Sequence, residues 1–395
     1  MRPARRLFPA LLALSTLTPL ALTTPPALAA PPAAVRPSVD TEHGLDPALA
    51  AQLDQAIEKV RQGAGIPGVT VGLWLPGRGA YVHSAGIADK VTGAPMRSDF
   101  NQRIGSVTKT FTATAVLELV DGGLVGLDDP ICDYIDGVPD GEHITIRQIA
   151  EMRSGLYSYT FDPDFQQALF TDPTRPFTPQ ELLAYAFKHD NVFAPGANFQ
   201  YSNTNYVLLG LLVEKVSGKP LADFIRERVT GPSHLDRTFL PAGAEFPDPH
   251  ARGYSNQTLT GAVEDVTDWN PSWGWAAGAM ISDLQDLRHW ARILATGTLL
   301  SPETQKQREN FVPVPGFPDA GYGLGLFTTH GWVGHNGSLP GYEDVVMYLP
   351  EQHATMVVML NTDIVAQGEE PSTLIARAVT QIVTPGNVYD LPKEK

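Results

Sequence analysis

The stretch Asn101-Gln-Arg-Ile-Gly-Ser-Val-Thr-Lys-Thr-Phe-Thr-Ala-Thr-Ala-Val-Leu-Glu-Leu-Val-Asp-Gly-Gly123 sets Ser106 three residues before Lys109, both where an apolar helical pattern begins. Phe111, Ala115 and Leu119 recur at helical spacing, and Asp121-Gly122-Gly123 stops the helix. Residues three apart share a helix face, so the Lys109 amine can lie against the Ser106 hydroxyl. A serine at a helix N-terminus also meets the positive end of the macrodipole, which favours its alkoxide. A weak oxygen nucleophile lacks both aids on its own. The bland alternative is Ser106 as a helix N-cap. No other Ser-x-x-Lys occurs in the chain.

Outward from this stretch, the chain begins with a basic segment (Arg2, Arg5, Arg6), an interrupted apolar run from Leu7 to Leu22, and Ala27-Leu28-Ala29. This is the pattern of a cleavable signal peptide over residues 1–29, and Arg5-Arg6 hints at twin-arginine export. Pro9 and Pro19 break the run, which argues against a permanent membrane helix. No cysteine follows it and the C-terminal residues are polar, so the expectation is a secreted protein without a stable membrane anchor. Residues 30–40 form a Pro/Ala-rich linker. The formal net charge is −15, and the leader carries three of the arginines. So acidic a chain disfavours nucleic acid as a partner. Cys132 is the only cysteine, so packing alone must hold the fold.

Leu49, Leu53, Ile57 and Val60 predict an amphipathic helix over residues 46–62. Val69 to Leu75, the Pro76-Gly77 turn and Ala80 to Ala88 read as a β-hairpin. From Leu127 the texture becomes short helical patterns split by Pro and Gly, including 144–152, 207–216 and 283–294. Strands resume at Trp332–Val333, 345–349 and 355–360, and residues 372–383 close as a helix. Strands at both ends with helices between predict an α+β fold, an antiparallel β-sheet flanked by helices with an inserted all-helical lobe. Residues 41–120 and 285–395 would form the α/β domain, and 121–284 the helical one.

Two further motifs support the Ser-Lys reading. Tyr201-Ser202-Asn203 immediately precedes an apolar helix, and His335-Asn336-Gly337 lies on or beside a late strand, followed by Ser338. Tyr254-Ser255-Asn256 repeats the first of these without an apolar helix behind it. Tyr201 as a packed aromatic, His335 as a satisfied strand histidine and Trp273 as core are the competing structural readings.

Ser-x-x-Lys, Tyr-x-Asn and His-x-Gly, in that order, resemble the penicillin-recognising serine hydrolases: class C β-lactamases, D,D-peptidases and their esterase and D-aminopeptidase relatives. The likeness is strongest to the secreted actinobacterial D-alanyl-D-alanine carboxypeptidase/transpeptidases. It extends through Ile104–Lys109, Arg153–Tyr157, Tyr201–Asn205 and Gly321–Leu326. The resemblance implies a β-lactamase/transpeptidase-like fold and an acyl-enzyme on Ser106. Lys109 and Tyr201 would share the role of base, with a charged Lys109 lowering the Tyr201 pKa. Asn203 would hydrogen-bond Lys109 and the substrate amide, and His335 would stand on the strand flooring the cleft. The backbone N–H groups of Ser106 and Ser338 would form the oxyanion hole. Trp273, Asn336, Gly337, Ser338 and Phe327 would meet the substrate. The resemblance also implies a small peptide or ester substrate, β-lactams as acylating inhibitors and a monomer. A catalytically idle binding relative is disfavoured because all three motifs are intact.

Two positions depart from the carboxypeptidase pattern. Asn336 stands where threonine is usual, and Phe327 where an arginine would hold the substrate carboxylate. Arg153, His330 and His335 are the candidates to replace that cation. Other chemistries lack their signatures: there is no G-x-S-x-G elbow, H-E-x-x-H, phosphate loop or dinucleotide fingerprint. The chemistry needs no cofactor.

Overall fold

The computed structural model describes residues 43–391. The signal-peptide and linker expectations fall outside these residues. Among the described residues, no helix is long and apolar enough to cross a membrane.

The chain begins with helix α1 (Pro47–Gly63), whose first turn is closed by Asp46 accepting from the N–H groups of Ala48 and Leu49. Strands β1 (Gly68–Leu75) and β2 (Gly79–Gly86) follow as the expected hairpin. The remaining strands of the main sheet come from the other end of the chain: β3 (Val312–Val314), β4 (Phe317–Tyr322), β5 (Phe327–Thr329), β6 (Trp332–Leu339), β7 (Tyr342–Leu349) and β8 (Ala354–Leu360). Their order is β2-β1-β8-β7-β6-β5-β4-β3, and every neighbouring pair is antiparallel. The two chain ends meet where β1 pairs with β8, Val71 lying opposite Val358.

All residues of β1, β7 and β8 are buried, because helices cover both faces of the sheet. One helix layer is α1 with a C-terminal helix (Pro371–Val383), and the other includes the helix Leu284–Thr296. That two-sided cover explains the nearly unbroken apolar runs of these strands.

Two central helices position the chemistry. Helix α2 (Thr108–Asp121) is buried on almost every side, so it reads poorly as amphipathic. Its many threonines survive burial because each is hydrogen-bonded. Thr110 donates to Val107 O and accepts from Trp290 Nε1, and Thr112 donates to Ala276 O, each at 2.7 Å. Glu118 is paired with buried Arg228 at 2.7 Å. Removing either partner alone would strand a charge out of water. Helix α3 (Asn203–Ser217) is equally apolar all round and packs directly on α2. On another side of α3, Gly210 permits a close approach to the short helix Trp275–Gly278, since a Cβ would lie 2.6 Å from Ala276 Cβ. The α2–α3 packing brings the first turn of α3 to the first turn of α2.

Candidate active site

Ser106 sits in a single 3₁₀ turn, Gly105–Val107, that leads into α2. The turn is pinned by backbone fit to β6. Gly105 has φ +47°, and a Cβ on it would lie 2.7 Å from Ser338 N. A Cβ on Gly337 would lie 2.1 Å from Ile104 O and 3.3 Å from Ser106 N. The glycine of His-x-Gly is therefore a steric requirement: it lets two backbones touch and brings the N–H groups of Ser106 and Ser338 to one spot. Gly337 offers no side chain to a substrate.

Lys109 Nζ lies 2.9 Å from Ser106 Oγ and donates to Ala277 O at 2.7 Å. The residue is fully buried, and burial drives its pKa well below that of a free lysine. Tyr201 places its ring 4.8 Å from the same amine. Burial raises the Tyr201 pKa above 10, and the nearby Ser106 hydroxyl pulls it only part of the way back. Its buried hydroxyl has no aligned hydrogen-bond partner within the chain. The expectation of a phenol acidified by a charged lysine is thus corrected: burial moves the amine down and the phenol up.

The loop 152–159 holds the Tyr-x-Asn segment. Ser202 N donates to Met152 Sδ, Asn203 N to Ser158 Oγ and Thr204 Oγ1 to Tyr157 O, at 3.4, 3.1 and 2.7 Å. Asn205 accepts from Ser154 Oγ at 2.7 Å. The stretches Arg153–Tyr157 and Tyr201–Asn205 are therefore two halves of one interlocked support. The Asn203 amide donates to Thr160 Oγ1 at 3.4 Å rather than meeting Lys109, whose amine is taken by Ser106 and Ala277.

His335 is buried behind the nucleophile. Its Nδ1 faces the carbonyl of Asn336 and so carries the proton. Nε2 then accepts from Tyr322 Oη at 3.1 Å. Burial, reinforced by Lys109, lowers its pKa to about 3. His335 is therefore a neutral imidazole at working pH, with no inflection near the ordinary histidine value of about 6.5. Tyr322→Phe would leave Nε2 without its donor. We expect it to cost about 1–3 kcal/mol in a urea melt and to make the His335 ring nitrogens exchange between tautomers by NMR. Unchanged stability and a single tautomer would show that Tyr322 does not hold the ring.

The cavity that opens on Ser106 has a volume of about 240 Å³ and includes Asn203, Trp273 and Ser338 in its lining. Two expected substrate contacts are corrected. Phe327 is buried with its ring against His335, centroids 5.4 Å apart, and does not line the cavity. Asn336, one residue along β6 from His335, turns aside to donate to Glu370 Oε2 at 3.1 Å. Strand alternation accounts for that turn. Tyr254 is structural: its hydroxyl accepts from Lys90 N at 2.7 Å. Sequence reasoning missed the Ala277 carbonyl, Tyr159 and Tyr322. Only Tyr322 had a signal, in the Gly321–Leu326 stretch.

A serine sharing a buried lysine amine, under an antiparallel sheet whose strand touches the serine's own turn, defines a penicillin-recognising serine hydrolase. Residues 53–380 match the Beta-lactamase family, and the chain belongs to it. Protein flp of Staphylococcus aureus strain N315 is 28% identical over 347 residues, covering 84% of this chain and 66% of that protein. Penicillin-binding protein 4* of Bacillus subtilis is 25% identical, covering 79% of this chain and 71% of its own length. Among solved structures, a D-stereospecific amidohydrolase from Streptomyces sp. is 32% identical, with TM-score 0.77 over 85% of this chain and 99% of that one. The D-amino acid amidase of Ochrobactrum anthropi is 29% identical, with TM-score 0.73 over 86% of this chain and 97% of its own.

Proposed function

We propose that this chain is an acyl-serine amidohydrolase that cleaves an amide on the carbonyl side of a D-amino acid and releases an uncharged leaving group. One observation carries this reading. Among the described residues lining the cavity at Ser106, none is Asp, Glu, Lys, Arg or His. A carboxypeptidase must pair the free carboxylate of its substrate, and a guanidinium suits that task best. Each candidate replacement is engaged elsewhere. Arg153 donates to Gly196 O and neighbours Glu151, His330 is exposed beside Thr329 and Asp319, and His335 is held neutral. The preference for a D-residue is supported by the likeness to the D-stereospecific amidohydrolase and the D-amino acid amidase.

In this reading Lys109, whose pKa burial lowers, takes the Ser106 proton in its neutral form as Oγ attacks the carbonyl. The N–H groups of Ser106 and Ser338 receive the developing oxyanion. Protonated Tyr201 supplies the proton that the departing nitrogen needs, and Lys109 restores it. Asn203, which lines the cavity, receives the substrate backbone through its amide. Water then hydrolyses the acyl-enzyme by the same proton path reversed. Esters and internal D-peptide bonds present the same uncharged leaving side and fall within this reading.

The test compares kcat/KM for a peptide ending in D-Ala-D-Ala with that for its C-terminal amide. The amide should be the better substrate. A preference for the free acid of about tenfold, equivalent to about 1.4 kcal/mol of transition-state discrimination, would overturn the proposal in favour of a carboxypeptidase.

A further inference from the structure

Arg308 ends the helix Pro302–Arg308 and turns its side chain into the core, where it is 1% exposed. Nη1 donates to Thr114 Oγ1 at 3.0 Å and Nη2 to Thr110 O at 3.1 Å. Nε has no partner among the described residues. The cation is thus held by a hydroxyl and a carbonyl of α2, whereas Arg228, against the same helix, has Glu118 as its acid. Burial lowers the Arg308 pKa only to about 10, so the group stays charged near neutral pH. A buried charge without an ion pair at contact is costly, and an apolar side chain of similar volume would avoid that cost.

The same residue is fastened to the segment that supports His335. Its carbonyl accepts from Leu324 N at 3.0 Å, and a Cβ on Gly323 would lie 2.2 Å from that oxygen. A Cβ on Gly325 would lie 2.2 Å from Ala113 Cβ and 3.1 Å from Lys109 O. These glycines let the loop after β4 touch α2, and Arg308 is bonded to both. The charged groups that feel its guanidinium are Tyr206, Glu309 and Tyr322. Burial, then Tyr206 and Tyr201, raise the Tyr322 pKa, and Arg308 opposes the rise. A cation facing a phenol strengthens it as a hydrogen-bond donor, because donation leaves negative charge on the oxygen. Tyr322 donates to His335 Nε2, and His335 Nδ1 to the carbonyl of Asn336. The next residue is Gly337, which seats β6 on the Ser106 turn.

Resting on the assignment of Ser106 as nucleophile, we propose that Arg308 is a positioning residue for the reaction. Its fixed charge keeps Tyr322 donating to His335, and His335 in turn holds β6 where the Ser338 N–H faces the developing oxyanion. Arg308 touches neither substrate nor serine. It acts through the phenol and the imidazole.

Nitrogen-15 NMR of the His335 ring and the rate of Ser106 labelling by a fluorophosphonate read the two ends of this chain of bonds. The wild type should show one tautomer, with the proton on Nδ1. Arg308→Met should mix the tautomers and slow labelling by about 10²-fold, the scale of a small misplacement at the reacting centre. In a Tyr322→Phe background the same substitution should add little, since its effect passes through the phenol. Thr114→Val removes an anchor but not the charge, so it should lower stability to urea and leave one tautomer. Arg308→Lys keeps a cation only while the buried amine holds its proton. That variant should show one tautomer in mildly acidic buffer and a mixture in alkaline buffer. Where Arg308→Met does not fold, the lysine variant decides, and a tautomer insensitive to pH would overturn the proposal. Wild-type labelling by Arg308→Met would also overturn it, as would mixed tautomers in Thr114→Val, which would reduce the role to packing. No labelling of Ser106 in the wild type would instead overturn the nucleophile assignment, and this inference with it.

Discussion

Lys109→Met should slow acylation of Ser106 by about 10⁴-fold or more, the upper range for loss of a positioned base and the behaviour of residues that act as one unit. Methionine fills the lysine's volume without its amine, and circular dichroism should show the fold retained. The amine lies 2.9 Å from Ser106 Oγ, and among the described residues no other amine or guanidinium lines the cavity or bonds the serine. Burial lowers its pKa, which favours the neutral amine that can accept a proton. The sign of the pH dependence follows. Only the neutral amine is a base, so the wild-type acylation rate should rise with pH until Lys109 is fully deprotonated. The midpoint should fall below the ordinary lysine value of about 10.4. The methionine variant should lose that rising limb. A variant that kept it would place the base elsewhere.

Tyr201→Phe should slow amide cleavage by about 10²- to 10⁴-fold. The phenol has no aligned partner within the chain, so removing its oxygen strands no other group, and the loss should be chemical rather than structural. Because burial holds Tyr201 protonated, its task is to deliver a proton to the leaving nitrogen. A p-nitrophenyl ester releases a stable phenolate and needs little such help. The substitution should therefore damage the amide substrate far more than the ester. Equal loss on both would make Tyr201 part of the attack step instead. Tyr254→Phe should leave both rates unchanged, because its hydroxyl only accepts from Lys90 N.

Much of this architecture was legible in the chain itself. The Ser106–Lys109 spacing, the apolar run of α3 and the hairpin β1–β2 each rest on local periodicity, and the observed bounds agree to within a few residues. Strands β3, β4 and β5 were not foreseen. They are short, lie at one edge of the sheet, and are broken by Pro313, Pro315, Pro318 and several glycines, which erase any alternating pattern. The site residues were found by motif, but motif spacing does not say which way a side chain turns. One step along β6 separates His335, facing Lys109 and Tyr322, from Asn336, facing Glu370. Phe327 lay in the right segment yet packs behind the histidine. The directions of the Lys109 and Tyr201 pKa shifts depend on burial from three separate segments, which no local pattern encodes. Trp273 was expected at the substrate, whereas Tyr159 and Phe165, which line the same cavity, were not foreseen.

The central claim, that Ser106 is an acylating nucleophile served by Lys109, is tested most directly by mass spectrometry of the protein after brief exposure to a fluorophosphonate. The account predicts one adduct per chain, mapped to the peptide containing Ser106, absent in Ser106→Ala and strongly delayed in Lys109→Met. An adduct on another residue, or a Ser106→Ala protein that still labels and turns over substrate at the wild-type rate, would contradict it.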